Sequence, residues 1–269
     1  MHPILIKIGP LTLFTYGFFL ALGFVTAIWV AGREARRLGL PVGRFYDLCF
    51  FIIIASLVGS RLLYVILEPE KFLKEPLKIF AMWEGGLVFH GGLVAALAVA
   101  FWYMRRHGLP WRPTFDALAV GMPLGQTLGR IGCFMAGCCY GAPTDLPWAV
   151  TFTHPETLCP VQVPLHPAQL YESGLSLGVF AVLFWLRKRK RYDGQIILTY
   201  FLLAGTVRFV VEFFRAPTTL DYRGPVLFWN MPSTQVTALG IALLSGLGLL
   251  WIRWRSARGG SPLPQGPKE

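Results

Sequence analysis

The sequence predicts an all-α, polytopic membrane protein with seven transmembrane helices, and three observations carry that expectation. Hydrophobic residues make up 54% of the 269-residue chain and charged residues 14%, at a mean hydropathy of +0.53, too apolar for an ordinary water-soluble domain. Apolar runs close to the ~20 residues that cross a bilayer occur at 10–32, 46–67, 85–104, 115–137, 169–186, 194–214 and 234–252. The third observation is that the cations are sorted by loop.

Arg33, Arg36, Arg37 and Arg44 fill the first loop, Arg105, Arg106 and Arg112 the third, and Arg187 to Arg191 the fifth. Arg253, Arg255, Arg258 and Lys268 follow the last span, whereas Lys71, Lys74 and Lys78 are offset by Glu68, Glu70, Glu75 and Glu84. Cytoplasmic loops retain Lys and Arg, so the N-terminus is expected outside and the C-terminus in the cytoplasm. This sorting explains the net charge of +11 without a nucleic-acid partner.

Met1 to Pro10 lacks a basic leader region, so the first span is expected to be an anchor and not a cleaved signal. Residues 1–258 read as a single transmembrane catalytic domain with one sizeable outward loop, about 138–168. The Gly/Pro-rich segment 259–269 reads as a disordered cytoplasmic tail.

Ionisable residues inside spans are costly and point to functional sites. Tyr16, Arg61, His90, Arg130, Glu172, Arg208 and Glu212 all fall toward the outer ends of their predicted spans, beneath the outer headgroups. Other roles are open for several of them. Arg208, Glu212 and Arg215 are spaced to neutralise one another on one helical face. Arg61 has the reach to snorkel to the interface, and Glu172 opens its predicted helix, where a carboxylate suits the dipole. His90 lies among Gly85, Gly86, Gly91 and Gly92, which remove bulk around it.

Gly121, Gly125 and Gly129 share one face of the fourth span and suit close helix contact. Pro123 is expected to kink that span, with 129–132 forming an irregular or re-entrant segment lining a cavity. Several arginines at headgroup depth suit a phosphate, whose oxygens guanidinium forks bind in pairs; a carboxylate substrate stays open.

These segments resemble the prolipoprotein diacylglyceryl transferase family along nearly the whole chain. The resemblance rests on Tyr16-Gly17, Gly59-Ser60-Arg61, Trp83 to Gly86 leading to Phe89 to Gly92, Gly129-Arg130-Ile131-Gly132, His166 to Glu172, and Arg208 to Arg215. It implies a multi-pass bacterial inner-membrane enzyme that moves a diacylglyceryl group from phosphatidylglycerol to the lipobox cysteine of a prelipoprotein signal peptide, as a thioether. Arg130 and Arg208 would hold the lipid phosphate, His90 and Tyr16 would lie near the reacting centre, and Gly141 would close the signature loop. Arg61, Glu212 and Arg215 join the substrate-binding candidates. A thiol must lose its proton to attack, and His90 is the candidate base. No cofactor is implied.

The chain departs from the family signature after Gly132. Cys133 and Ala136 stand where the family has Asn, and Cys138 where it has Glu. Two readings stay open: a divergent transferase, or a catalytically impaired paralogue that binds lipid or lipoprotein. A transporter of anions fits less well, because the charges avoid the midplane. Of five cysteines, Cys138 or Cys139 is expected to pair with Cys159 in an oxidising compartment. No C-x-x-C pair occurs, so no metal site is expected.

Overall fold

The computed structural model describes residues 2–8, 11–81, 85–155, 157–215 and 231–257. Helices dominate: α1 (Thr15–Arg37), α2 (Val42–Leu67), α3 (Pro69–Lys74), α4 (Phe89–His107), α5 (Trp111–Ala136), α6 (Ala168–Leu186), α7 (Gln195–Glu212) and α8 (Ser233–Ala257), with a 3₁₀ turn at Pro76–Phe80. All except α3 have at least 18 residues and lie over the seven apolar runs. Five of these, α1, α2, α6, α7 and α8, are both long and apolar enough to cross a membrane. In α5, Arg112, Asp116, Gln126 and Arg130 interrupt the apolar pattern, and α4 closes on Arg105, Arg106 and His107.

The first helix starts five residues later than the apolar run. Ahead of it, β1 (Ile4–Ile8) pairs antiparallel with β2 (Leu11–Phe14), with an irregularity between Ile4 and Ile6. Large apolar side chains point outward along the long helices; Ile66 is 70% exposed and Leu244 72%. Apolar faces of this extent are unstable in water, and with five helices long and apolar enough to cross a bilayer the chain is a multi-pass membrane protein.

The chain divides into two compact units, Met1–Glu34 with Phe115–Glu269, and Ala35–Thr114. In the first, small residues set the seams. A Cβ at Gly23 would lie 3.0 Å from the Gly125 carbonyl oxygen, and one at Gly205 2.7 Å from that of Ala238, so α1 meets α5 and α7 meets α8 nearly backbone to backbone. Ser173 donates to the Thr127 carbonyl at 3.0 Å, linking α6 to α5. A core of Val30, Val120, Val179, Leu183, Ile196 and Tyr200 fills the space between these helices.

At the end of this unit opposite the loop, buried acids collect the fifth loop's cations. Glu34 pairs with Arg187 at 2.8 Å. Asp116 pairs with Lys190 at 3.1 Å and accepts the Gly194 and Ile197 amides at 2.9 and 3.0 Å. The loop between α5 and α6 carries a two-residue ribbon, β3 (Val150–Thr151) with β4 (Pro164–Leu165), over a cluster of Tyr140, Phe152, Cys159 and Leu165.

In the second unit, α2 and α4 pack through glycine. A Cβ on Gly59 would lie 2.6 Å from the Gly91 carbonyl oxygen, and one on Gly92 2.8 Å from that of Ser56. The glycines flanking His90 therefore admit the backbone of α2.

Candidate active site

Helix α6 carries Glu172 one turn inside its start, and two arginines from other helices close on it. Arg130 Nη2, from α5, lies 2.9 Å from Oε1, and Arg208 Nη1, from α7, lies 3.6 Å from Oε2. Arg208 Nη2 also lies 2.9 Å from Glu212 Oε2, one turn along its own helix. Thr234, at the start of α8, donates to Glu212 Oε1 at 3.1 Å. The predicted convergence of Arg130 and Arg208 is thus present, with Glu172 between them and not merely at a helix start.

The 3.6 Å separation is too long for a hydrogen bond, and the buried Arg208 Nη1 makes none among the described residues. A guanidinium N–H in that position is a donor waiting for an anion. Arg215 adds a third buried cation just past α7. Burial and the like charges of Arg208 and Arg130 pull its guanidinium below the ordinary value, against the opposing effects of Cys139 and Glu212. Three guanidinium groups against two carboxylates leave the cluster cationic.

Gly141 fixes the loop against the end of α7. Its amide donates to the His166 carbonyl at 3.0 Å, and the Ala142 amide donates to that of Phe214 at 2.9 Å. Gly141 also forms a bridge with Arg215. A Cβ there would meet the His166 and Phe214 carbonyl oxygens at 2.5 and 2.6 Å, so only glycine fits. His166 Nδ1 lies 3.2 Å from the Tyr171 hydroxyl, which accepts from Trp148 Nε1 at 2.8 Å. This bracing is not legible in the sequence, where His166 is only part of a motif; it joins Tyr171 of α6 to Trp148, 23 residues earlier in the chain.

Tyr16 opens α1 and packs beside Gly132, where a Cβ would lie 3.4 Å from its Cδ2. It is within electrostatic reach of Arg130, Cys133, Cys138 and Cys139. The 129–132 step, expected to be irregular, stays helical to Ala136. The break comes at Gly137, φ +76°, where Gly137 N donates to Phe134 O at 3.3 Å and Cys138 N to Cys133 O at 3.1 Å. This pair of reverse bonds is the Schellman closure of a helix.

All five cysteines are free thiols. The expected bridge to Cys159 is not formed, because the Schellman turn brings Cys138 and Cys139 back over Cys133 instead. The three sulfurs lie within 4.8 Å of one another. Hydrogen bonds from Cys133 and Cys138, with Arg130 and Arg215 nearby, hold the Cys139 thiol below its ordinary range. Burial raises that of Cys159.

Arg61 and His90 belong to the second unit. Arg61 is 4% exposed, and its guanidinium donates to five backbone carbonyls. These are Ile79 at 3.0 Å, Gly85 at 2.5 Å, Gly86 at 3.2 Å, Ala81 at 3.2 Å, and Lys78. With all five N–H groups engaged, Arg61 neither snorkels nor offers a donor to a phosphate; it clamps the chain between α3 and α4. His90 lies exposed in the first turn of α4, its ring 5.8 Å from that of Phe89. Trp83 and Glu84 lie outside the described residues.

The chain is similar to known proteins along most of its length. The family model for prolipoprotein diacylglyceryl transferase matches residues 3–252. A phosphatidylglycerol-prolipoprotein diacylglyceryl transferase of Pseudomonas fluorescens (strain Pf-5) is 34% identical over 261 residues, 96% of this chain and 95% of its own. Proteins of the same name from Bordetella bronchiseptica, 36% identical over 81% of this chain and 83% of their own, and Vibrio parahaemolyticus, 34% over 96% and 92%, are similar. With a match across nearly its whole length and the arginine cluster in place, the chain belongs to the prolipoprotein diacylglyceryl transferase family.

Proposed function

We propose that this protein transfers the diacylglyceryl group of phosphatidylglycerol to the lipobox cysteine thiol of prelipoproteins, at the outer face of a bacterial inner membrane. The observation that carries the reading is the approach of Arg130 and Arg208 to opposite oxygens of Glu172, with Arg208 Nη1 making no hydrogen bond among the described residues. A lipid phosphate satisfies that donor and neutralises the surplus charge. Charge that develops on the departing phosphate then meets preorganised guanidinium groups, the largest source of rate in such a displacement.

The acceptor sulfur attacks the diacylglyceryl carbon bonded to phosphate oxygen. The C–S bond forms as the C–O bond breaks, and the electron pair leaves on glycerol phosphate. Arg130 and Arg208 bind the phosphate, Glu172 and Glu212 hold the two arginines in place, and Gly141 and Arg215 join the signature loop to α7. By the family resemblance alone, His90 of the second unit is the candidate base for the thiol proton and Tyr16 the candidate for orienting the reacting groups. A His90→Gln protein with unchanged transfer rates would remove it from that role.

The second reading, a lipid- or lipoprotein-binding paralogue without chemistry, is favoured by one observation. Cys133, Ala136 and Cys138 replace the amides and carboxylate of the signature loop. Complementation of a strain depleted of its own transferase separates the two. Growth supports the enzyme, and failure despite normal membrane expression supports the binder.

A further inference from the structure

The three residues that break the family pattern or adjoin it, Cys133, Cys138 and Cys139, gather into one thiol cluster at the end of α5. Their proximity is built by backbone geometry. The Schellman turn stacks Cys138 over Cys133, and Cys139 takes a left-handed conformation, φ +58°, uncommon for a residue with a side chain. The sulfurs lie within 4.8 Å of one another, and among the described residues the group contains no fourth His, Cys, Asp or Glu. Zinc–sulfur bonds of about 2.3 Å place tetrahedral ligand sulfurs about 3.8 Å apart, so a contraction of about 1 Å or less converts the cluster into three ligands. Three thiolates around a divalent cation carry one net negative charge, and Arg130 lies beside Cys139 to balance it.

We propose that Cys133, Cys138 and Cys139 form a three-thiolate site for zinc whose open fourth position takes the acceptor cysteine of the lipoprotein substrate. This rests on the transferase reading above and gives the divergent loop a chemical purpose. Three protein ligands and one open position are the mark of a catalytic zinc, not a structural one. Coordination deprotonates a thiol outright and leaves a sulfur able to attack carbon at neutral pH. The proton displaced from the acceptor passes to the base the reaction already requires. The bound thiolate then forms the C–S bond as the C–O bond to phosphate breaks, and zinc returns to an open position when the thioether, a weak ligand, departs.

The test uses the full-length protein purified in detergent under reducing conditions. Zinc content is measured by elemental mass spectrometry, and protection of thiols from alkylation is followed during titration with zinc alone. One zinc per chain is expected, with Cys133, Cys138 and Cys139 protected while Cys49 and Cys159 react as before. Cys133→Ser, Cys138→Ser and Cys139→Ser should each weaken zinc binding more than tenfold, since even outer partners of a metal site are worth about 10-fold to 100-fold. Cys159→Ser should leave it unchanged. Substoichiometric zinc with no protection, or binding that survives the triple substitution, overturns the site. Diacylglyceryl transfer is assayed on the same preparations. Full transfer by zinc-free protein overturns the zinc inference and leaves the transferase standing; zinc bound by these three thiols with no transfer in any preparation overturns the transferase and the acceptor role.

Discussion

At the scale of single residues, arginine serves two opposite purposes in this chain. Arg61 and Arg208 both sit toward the predicted outer ends of their helices, yet Arg61 donates all its N–H groups to carbonyls while Arg208 Nη1 makes no hydrogen bond among the described residues. Sequence spacing cannot separate these cases, because Arg61's partners at 78–86 lie in a segment with no periodic signal. Arg130→Gln and Arg208→Gln should each lower the transfer rate by about 10²-fold to 10³-fold, the effect of removing one preorganised donor from developing charge; single-turnover assays check this. Arg61→Gln should act differently, lowering thermal stability by leaving buried carbonyls without donors at about 1–3 kcal/mol each, with a smaller direct effect on chemistry. Glu212→Gln should destabilise by about 3 kcal/mol, because it leaves Arg208 beside a neutral partner in a buried setting; a thermal melt in detergent measures it.

At the scale of elements, seven apolar runs in the sequence became seven long helices, since length and apolarity are local properties. Their ends were less legible. Residues 11–14 read as part of the first span but pair with 4–8, a non-local choice that hydropathy does not record. Gly129 to Gly132 read as irregular but stay helical, and the break falls at Gly137, where the positive φ is affordable only to glycine without strain. The thiol cluster follows from that break, so it too was hidden from a search for C-x-x-C spacing. Glycine-mediated packing gives a direct test in the second unit. Gly59→Ala would drive a Cβ to 2.6 Å from the Gly91 carbonyl oxygen, and overpacking of this kind costs about 1–3 kcal/mol. A lowered melting temperature is expected, with Gly17→Ala, where a Cβ meets nothing within 4 Å, as the neutral control.

At the scale of the whole molecule, charge sorting and polar depth point to one orientation. The buried acids Glu34 and Asp116 receive Arg187 and Lys190 at one end of the first unit, and the arginine cluster with the loop around Gly141 lies at the other. Glu34 and Asp116 attracted no notice in the sequence, because each makes sense only with a basic loop some 70 or more residues away. The proposed topology, seven spans with the N-terminus outside, gives a direct expectation for labelling in intact cells. Asp145→Cys should react with a membrane-impermeant thiol reagent, and Arg189→Cys should react only after lysis; the reverse pattern would invert the topology.

The claim on which the account turns is that Arg130 and Arg208 together hold the phosphate of a lipid whose glyceryl carbon passes to sulfur. Mass spectrometry of a lipobox peptide incubated with the purified protein in phosphatidylglycerol vesicles tests it most directly. The account expects a diacylglyceryl thioether on the peptide's cysteine, lost together in Arg130→Gln and Arg208→Gln. Unmodified peptide with the intact protein, or full modification by the doubly substituted one, would contradict it.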